Sequence, residues 1–540
     1  MIKPLQIWLL VIFSLAVGTA SAQSFRVQCP TSTITHPDPG NTGVNNSEPA
    51  YTGPTTFTTG ANGYQVPSNV NGAIKCQQIS GGDGYATMAD GTQTFMFSFG
   101  PLSGLADMAN GLPATQFPNV FNTPYLGAPL QPGDPATTDG ASDSPKAVPG
   151  DLTQFNYNGA VGQVPDLDCL ADPSTCAGVP TSGPFAGIDG HVDPRQIMDI
   201  GVMNGNIPAP LMAIDEDDEY FLTLTNVGMI MRPDLFEQHT VHFHGYPNAS
   251  AFYDGVPDAS VAINIGGSFT YYYLAPDAGT YFWHCHITPP EHLQMGMVGQ
   301  LYVRPRQNRV AVGSSLYAAL QLQQNDLRTA CNSNDILCSN PLPAVNTGNT
   351  GGGKYAYNDG DGSTAYDVEY PLQIHGFDPN FHFVGMTFNP EDFADMKDKY
   401  FLLNGRSYPD TVTPGPLATQ TADGKMHFSQ PLPSIIQMAS GQKALLRISD
   451  LDVTEYQTLA SLGIRMHVVG YNAKLLRDQA GNNMDYYTNS ITLAGGESLD
   501  VILDSAGVPK GTYYLYTPQL DHLANDAENF GGLMTEVRIN

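Results

Sequence analysis

Glycine and proline interrupt this chain too often for it to form long helices. The 540 residues include 56 glycines and 42 prolines, and helical periodicity is scarce. Between the turn residues lie short runs rich in β-branched and aromatic side chains, such as YFLTLTNV, FTYYYLA and LDVILDS. Short strands separated by turns are typical of a β-sandwich or a β-barrel. The sequence therefore predicts an all-β fold.

A weak internal repeat predicts two copies of one β domain. The run NGNIP at 204–208 recurs in character as NGRSYP at 404–409, and the triplet GTY at 279–281 recurs at 511–513. A repeat of roughly two hundred residues indicates two copies of one domain. We expect a first domain at 81–305 with a long loop insertion at about 101–194, a linker at 306–365 and a second domain at 366–540.

The first residues are typical of a secretory signal peptide. Lys3 is followed by an apolar run and by Ala20-Ser21-Ala22, which predicts cleavage after Ala22. Residues 1–22 are then the signal peptide and 23–80 an N-terminal arm. No later apolar run reaches the roughly 18 residues that span a bilayer. We therefore expect an exported protein, secreted or periplasmic.

The charge balance excludes two classes of partner. The formal net charge is −29. Nucleic acids and anionic membrane surfaces are bound through Lys and Arg, so neither is expected to bind. The acidity favours solubility, or else it concentrates cations near a site.

The chain has seven cysteines, so at least one cannot form a disulfide within the chain. Three plausible disulfide pairs in an oxidising compartment are Cys29 with Cys76, Cys169 with Cys176 and Cys331 with Cys338. Cys285 is the seventh cysteine. Metal ligation is one explanation for its presence.

Two histidine-rich runs contain most of the candidate ligands. The first is HTVHFHG, with His239, His242 and His244, and the second is HCHITPPEHLQMGM, which begins at His284. Side chains of a strand alternate between its two faces. If the runs are neighbouring strands, His242, His244, His284 and His286 therefore meet on one face, and His239 meets Cys285 on the other.

The loop after Cys285 is expected to return His292 to the side of Cys285, and Met297 follows five residues later. One Cys, two His and a weak axial Met are the ligands of a blue-copper site. Zinc prefers a tetrahedral site closed by several Cys or His, and this spacing is not of that type.

The motifs HTVHFHG and GTYFWHCH, followed by MGMVGQLYV, resemble those of the multicopper oxidases, the laccase-like cupredoxin proteins, and of their relatives the copper nitrite reductases. The resemblance extends from about residue 81 onward and is most specific at 239–303. It implies two cupredoxin-like Greek-key β-sandwich domains. It also implies a type 1 copper at His239, Cys285, His292 and Met297, and half of the ligands of a type 2/type 3 copper cluster at His242, His244, His284 and His286.

The same resemblance implies a mechanism. The type 1 copper takes single electrons from a reductant, and Cys285 is a short covalent route to the cluster, where dioxygen is reduced to water. Asp254, in FYDGVPD, resembles the acidic residue that supplies protons in this family. A turn-forming Asp-Gly pair is the alternative interpretation of Asp254.

The second copy departs from the family pattern, which needs eight cluster histidines. Aligning the repeats places His467 under His242, and Tyr516, Thr517 and Pro518 under the HCH triplet. His467 is then the one cluster ligand expected from the second domain. His375, His382 and His522 are further histidines without a motif.

Three functions stay open at this point. The first is a laccase-like oxidase, with a cluster that is modified or is completed between subunits of a homo-oligomer. The second is a nitrite-reductase-like enzyme with one type 2 copper at His244, His284 and His522. The third is an exported electron carrier or copper-binding protein. The reductant is a small molecule or a metal ion, with phenols, Fe(II), Mn(II) and Cu(I) all open; Glu291, beside His292, hints weakly at a cationic metal.

Overall fold

The computed structural model describes residues 33–37, 49–61, 63–101, 171–172, 182, 205–229, 237–245, 250–265, 267–275, 277–324, 340–385, 393–420 and 426–540. The predicted signal peptide, nearly all of the predicted insertion and the side chains of the six cysteines predicted to form disulfides lie outside the described residues.

Strands dominate the first half of the described chain. They are β1 (Phe57–Thr59), β2 (Gln65–Pro67), β3 (Ile74–Thr87), β4 (Gln93–Pro101), β5 (Met212–Asp215), β6 (Glu219–Gly228), β7 (His242–Phe243), β8 (Ser268–Leu274), β9 (Gly279–His284) and β10 (Val298–Arg304). A short helix, α1 (Pro289–Gln294), lies between β9 and β10. Two prolines begin α1, where their missing N–H groups cost nothing.

The second half is also mainly strands. It begins with α2 (Leu316–Gln323) and continues with β11 (Lys354–Tyr355), β12 (Ala365–Tyr366), β13 (Val368–Phe377), α3 (Pro379–Gly385), β14 (Tyr400–Leu403), β15 (Leu417–Gln420), β16 (Met426–Gln430), β17 (Ile436–Met438), β18 (Lys443–Asp450), β19 (Gln457–Leu462), β20 (Met466–Tyr471), β21 (Lys474–Leu475), β22 (Tyr486–Thr488), β23 (Ser490–Leu493), β24 (Glu497–Asp504), β25 (Gly511–Tyr516), β26 (Ala524–Asn525), β27 (Glu528–Asn529) and β28 (Met534–Ile539). The predicted all-β class is confirmed.

Two four-stranded sheets form the first sandwich. Their strand orders are β5-β10-β9-β7 and β4-β3-β6-β8. Alternate residues of facing strands, such as Leu222 and Leu224 of β6 and Leu301 and Val303 of β10, are buried in one hydrophobic cluster. Trp283 of β9 lies fully buried in the same cluster. Period-two burial of this kind produces a core between two sheets.

The second sandwich repeats the strand pairing of the first. Its larger sheet runs β21-β20-β24-β18-β13-β14-β26-β27, and its smaller one β17-β28-β25-β19-β23. The parallel pairs β3 with β6 and β10 with β5 correspond to β13 with β18 and β28 with β17. The weak sequence repeat therefore corresponds to a repeated architecture.

The described segments differ from the predicted boundaries at two places. β3 begins at Ile74, inside the predicted N-terminal arm, because it pairs in parallel with β6 from that residue onward. The predicted linker at 306–365 contains α2, β11 and β12, and Val310, Leu316 and Tyr355 share a small buried cluster with Tyr51. Among the described residues, no helix is both long and apolar enough to cross a membrane.

The two sandwiches meet closely at their inner sheets. Gly279, with φ +146°, lies so near Ala473 that an added Cβ would be 2.6 Å from the Ala473 Cα. Buried Glu369 of β13 accepts hydrogen bonds from Arg304 Nη2 of β10 at 2.8 Å and from Arg447 Nε of β18 at 3.0 Å. Burial alone would raise the pKa of Glu369, but the two guanidinium groups outweigh it and lower this pKa to about 2.

We expect Glu369→Gln to destabilise the protein at pH 7 by about 3–5 kcal/mol, because it leaves two buried guanidinium groups without their countercharge. The contribution of Glu369 is complete above its unfolded pKa of 4.5 and is lost as the pH falls toward about 2. Urea unfolding should therefore give a smaller difference between variant and wild type at pH 3 than at pH 7. Exposed Glu528→Gln is the control. An equal unfolding free energy for Glu369→Gln and wild type at pH 7 would contradict this interpretation.

Candidate metal centre

Three ligand atoms converge at the end of β9. His239, Cys285 and His292 are buried, and one ligand atom of each lies within 4.8 Å of the other two. Cys285 Sγ is 3.3 Å from His292 Nδ1 and 4.0 Å from His239 Nδ1. We call these three residues the sulfur group.

The backbone holds the sulfur group in place by closing the loop after β9. The Cys285 N–H donates to the Met297 carbonyl at 3.1 Å, and the Met297 N–H donates to the His292 carbonyl at 2.9 Å. The Thr240 N–H points at Cys285 Sγ at 3.5 Å. Met297 is fully buried in the same hydrophobic cluster as Cys285. The predicted fourth ligand therefore lies next to the loop that carries the other ligands.

The two imidazoles of the sulfur group have opposite pKa shifts. Burial and neighbouring His292 hold the pKa of His239 well below its usual value, so this imidazole is neutral. Burial also acts to lower the pKa of His292, but Cys285 and Glu237 outweigh it and raise this pKa to about 10. Glu237 Oε2 lies 3.5 Å from His292 Nε2. A buried thiol sulfur with two imidazole nitrogens fits a copper ion, which favours soft sulfur together with nitrogen donors.

The second group lies on the opposite face of the same strands. One ligand atom each of His242, His244 and His284 lies within 4.8 Å of the others. His242 and His284 are register partners in the β7–β9 pair. The ring of His286 is 5.1 Å from that of His242, centroid to centroid. We call His242, His244 and His284 the histidine group, with His286 beside it.

Hydrogen bonds orient the imidazoles of the histidine group. His242 Nδ1 lies 2.7 Å from the Asp254 carbonyl oxygen, and His284 Nδ1 lies 2.7 Å from the Cys285 carbonyl oxygen. A ring N–H that donates to a carbonyl leaves the other nitrogen, Nε2, available as a metal ligand. The Nε2 atoms of His244 and His284 are 2.8 Å apart.

Two imidazoles of the histidine group, those of His244 and His284, are held neutral. Burial, with the neighbouring histidines, lowers the pKa of His244 to about 4. Burial lowers the pKa of His284 to about 3 even though the Cys285 carbonyl opposes it. Neutral imidazoles are the form that binds a metal. These residues fit one or more copper ions on chemical grounds.

Asp254 lies beside the histidine group. Its Oδ2 is 3.6 Å from His242 Nδ1, and its side chain is partly exposed. Gly255 follows with φ +81°, and an added Cβ would overlap the Val241 carbonyl. The Asp-Gly turn therefore packs directly on the strand that carries His242. Both interpretations of Asp254, as a turn residue and as a proton donor, are compatible with this position.

The structure does not bring His467 to the histidine group. His467 Nε2 is 2.7 Å from Asp485 Oδ2, and its ring stacks on Tyr487. His467 lies on β20, which pairs with β24, whereas the strand that pairs with β25 as β7 pairs with β9 is β19. In that register Ala460 is opposite Tyr516, as His242 is opposite His284. The pairing therefore assigns Ala460, and not His467, to the position of His242.

The three other histidines also have partners within the chain. His522 Nδ1 is 2.9 Å from Gln457 Oε1, and its Nε2 is 3.1 Å from Glu455 Oε2. His375 Nε2 is 2.7 Å from the Leu293 carbonyl oxygen, and His382 Nε2 is 3.1 Å from Gln294 Oε1. All three histidines are buried.

A cleft of about 380 Å³ opens beside the histidine group and separates the two sandwiches. The first sandwich lines it with His244, Phe282, His284 and Leu293, and the second with residues 451–456 and 494–496. The sequence analysis did not predict the wall formed by the second sandwich, which includes Asp452, Thr454 and Glu455. The acidic run SDLDVTE, which begins in the last two residues of β18, was the available signal.

The segment that carries both histidine runs is similar to known copper proteins. Residues 189–308 match the family model described as multicopper oxidase. A laccase of Aspergillus fumigatus, abr2, is 34% identical over 109 residues, which are 20% of this chain and 17% of the laccase. A copper-containing nitrite reductase of Rhizobium meliloti is also 34% identical over 109 residues, 19% of this chain and 26% of the reductase.

The chain thus matches well under a third of the length of these relatives. A solved multicopper oxidase structure, mgLAC, aligns over 87% of both chains with a TM-score of 0.46 and 15% identity. The predicted resemblance is confirmed for the segment that carries both histidine runs.

We expect the copper-loaded protein to be blue, because a copper–thiolate bond at Cys285 gives an intense visible band. Cys285→Ser should abolish the band and leave the far-UV circular dichroism unchanged. Met297→Leu is the matched variant, which should keep the band and raise the reduction potential, since the axial ligand tunes it. Wild-type protein that binds copper without an intense visible band would contradict the type 1 assignment.

Proposed function

We propose, from the match of residues 189–308 to the multicopper oxidase family, that this protein is an exported copper-dependent oxidoreductase. It takes single electrons from a reductant at the sulfur group and reduces dioxygen to water at the histidine group. Copper bound at both groups would supply the one-electron chemistry and the oxygen chemistry.

The observation that carries this proposal is the direct connection between the two groups. Cys285 belongs to the sulfur group and its chain neighbour His284 belongs to the histidine group. In addition, His284 Nδ1 is hydrogen-bonded to the Cys285 carbonyl oxygen at 2.7 Å. One peptide unit and one hydrogen bond therefore link a buried thiol to the imidazoles on the opposite face.

The chain's own residues prepare the two groups for different tasks. Phe97 and Phe99 pack edge-on against His292 and His239, which excludes water from the sulfur group. The histidine group instead faces the cleft, which admits a small molecule. An enclosed group suits electron transfer, and an open group suits binding of a reactant.

The charge of the cleft favours dioxygen over nitrite as the oxidant. Among the described residues that line it are Asp452 and Glu455, and none of the lining residues is Lys or Arg. An acidic wall repels an anion and does not repel a neutral molecule. The nitrite-reductase-like alternative also drew on His522, which here contacts Glu455 and Gln457. The electron-carrier alternative would leave the histidine group without a function.

The reductant and the oligomeric state belong to the same proposal. Phenols, Fe(II), Mn(II) and Cu(I) are candidate electron donors, and an oxygen-consumption screen separates them. The second sandwich offers Ala460 and Tyr516 at the pairing positions of His242 and His284. A homo-oligomer whose neighbouring subunit supplies further ligands is therefore one way to complete the histidine group.

We expect His284→Ala and His286→Ala to lower steady-state oxygen consumption to about a hundredth of the wild-type rate or less, because electrons that reach Cys285 then have no acceptor. The blue band should remain, since neither side chain belongs to the sulfur group. An oxygen electrode and a visible spectrum of the same sample provide the two measurements.

His467→Ala is the control for that experiment and should consume oxygen at close to the wild-type rate. A loss as large as that of His242→Ala would indicate that a second subunit brings His467 to the histidine group. If His242, His244, His284 and His286 variants all keep the wild-type rate, the electron-carrier alternative replaces the oxidase.

A further inference from the structure

Two buried carboxyl groups meet between the sandwiches, away from both candidate metal groups. Asp398 lies just before β14 and Asp452 just after β18, and both are buried. Their Oδ2 atoms converge over Gly376 of β13, where an added Cβ would overlap both of them. The Thr454 hydroxyl contacts Asp398 Oδ2 and lies 2.9 Å from Asp452 Oδ1. We call Asp398 and Asp452 the acid pair.

Amide side chains fix the outer oxygens of the acid pair. Gln294 Nε2, at the end of α1, contacts Asp398 Oδ1. Gln457 Nε2, on β19, donates to Asp452 Oδ2 at 2.7 Å. These contacts hold the two carboxyl groups against each other from opposite sandwiches. Neither carboxyl group can turn away to relieve the repulsion between two negative charges.

Further titratable groups surround the acid pair, and the exposed lysines Lys397 and Lys399 flank Asp398 in the chain. Asp450 and Glu497 lie on the two neighbouring strand ends, and burial, followed by the charge of Asp452, raises the pKa of Asp450 well above its usual value. His375 of β13 faces Asp452, and His382 of α3 lies near His375. Burial lowers the pKa of both histidines, so they are neutral. Asp450 Oδ2 and His375 Nδ1 are buried and have no hydrogen-bond partner among the described residues.

Two carboxylates this close cannot both be ionised, so a proton or a metal cation must lie between them. Burial, and then the charge of Asp452, raise the pKa of Asp398 to about 8. A metal cation needs further ligands. Among the described residues, the groups of three or more His, Cys, Asp or Glu with ligand atoms within 4.8 Å are the sulfur group and the histidine group. The acid pair is not among them, which favours the proton.

Asp452 of the acid pair lines the cleft. Asp452 and Thr454 line it together with His244 and His284. Hydrogen bonds also connect Asp452 to Gln457, Gln457 to His522, and His522 to Glu455. Glu455 lines the cleft as well, and its side chain is partly exposed. Asp452 therefore borders the same cleft as His244 and His284.

We propose that Asp398 and Asp452 share one proton in the resting protein near neutral pH and that Asp452 donates it into the cleft beside His244 and His284. The inference rests on the proposed oxidase function. Reduction of one dioxygen to two waters consumes four electrons from the reductant and four protons. In each donation the Asp452 O–H bond breaks, the proton goes to oxygen, and the pair is reprotonated by water that enters the cleft, which Asp452 lines.

Infrared difference spectroscopy of the copper-free protein tests the shared proton directly. The wild-type spectrum minus the Asp398→Asn spectrum should contain the C=O stretch of a protonated carboxyl group at pH 6 and lose it as the pH is raised through about 8, because other buried acids with a raised pKa, such as Glu216, contribute to both spectra. Asp398→Asn, which keeps the shape and supplies an N–H to Asp452, should remove this band. Asp504→Asn, a partly exposed acid on β24, should keep it. A difference spectrum without this band at pH 6 overturns the proposal.

The pH dependence of the Tm of the copper-free protein is a second test of the shared proton. The pKa of Asp398 is raised on folding from 3.8 to about 8, so the wild type loses stability as the pH rises between these values. Asp398→Asn should therefore raise the Tm at pH 8 and leave it nearly unchanged at pH 4. A variant that lowers the Tm equally at both values has lost packing only, and this result overturns the shared proton.

Oxygen consumption by the copper-loaded protein tests the donation. Asp452→Asn should lower the rate at pH 7 by about tenfold or more, as expected for loss of a positioned acid, with the blue band unchanged. A wild-type rate in this variant overturns the donor role. If the wild type itself consumes no oxygen, the proposed function fails, whereas the infrared and Tm measurements still decide whether the pair holds a proton.

Discussion

The pairing of His242 with His284 determines how both candidate metal groups are built. β7 has only two residues, but its register with β9 decides which side chains share a face. Because strand side chains alternate, a slip of one residue would exchange the thiol of Cys285 with an imidazole on the other face. The loop closed by the Cys285–Met297 hydrogen bond then adds His292 on the correct side. The β7–β9 pair thus places the sulfur group on one face of the sheet and the histidine group on the other.

The two sandwiches share a pairing scheme and differ in chemistry. At the positions that hold His242 and His284 in the first sandwich, the second has Ala460 and Tyr516. In place of imidazoles, the second sandwich presents Asp452, Thr454 and Glu455 to the cleft. The second sandwich therefore forms one wall of the cleft and does not carry a second set of histidine ligands there. Fold alone would not have distinguished these roles, because the chemistry depends on the side chains at a few positions.

Local periodicity was sufficient for part of the site. Alternation along two strands predicted that His239 and Cys285 share one face and the four remaining histidines the other, and this requires only neighbouring strands. The correspondence of His467 with His242 relied on likeness of sequence, but sheet pairing assigns that position to β19. The acid pair had no local pattern at all. Asp398 and Asp452 meet because β14 and β18 both pair with β13, a contact between distant parts of the chain.

The close approach of Gly279 to Ala473 has a consequence for how the two sandwiches can move. At this point they touch through backbone atoms, because an added Cβ on Gly279 would lie 2.6 Å from the Ala473 Cα. The Glu369 ion pairs with Arg304 and Arg447 fasten the same inner sheets. A hinge between the sandwiches would have to break a main-chain contact and two buried ion pairs at once, so the pair of sandwiches behaves as one rigid body.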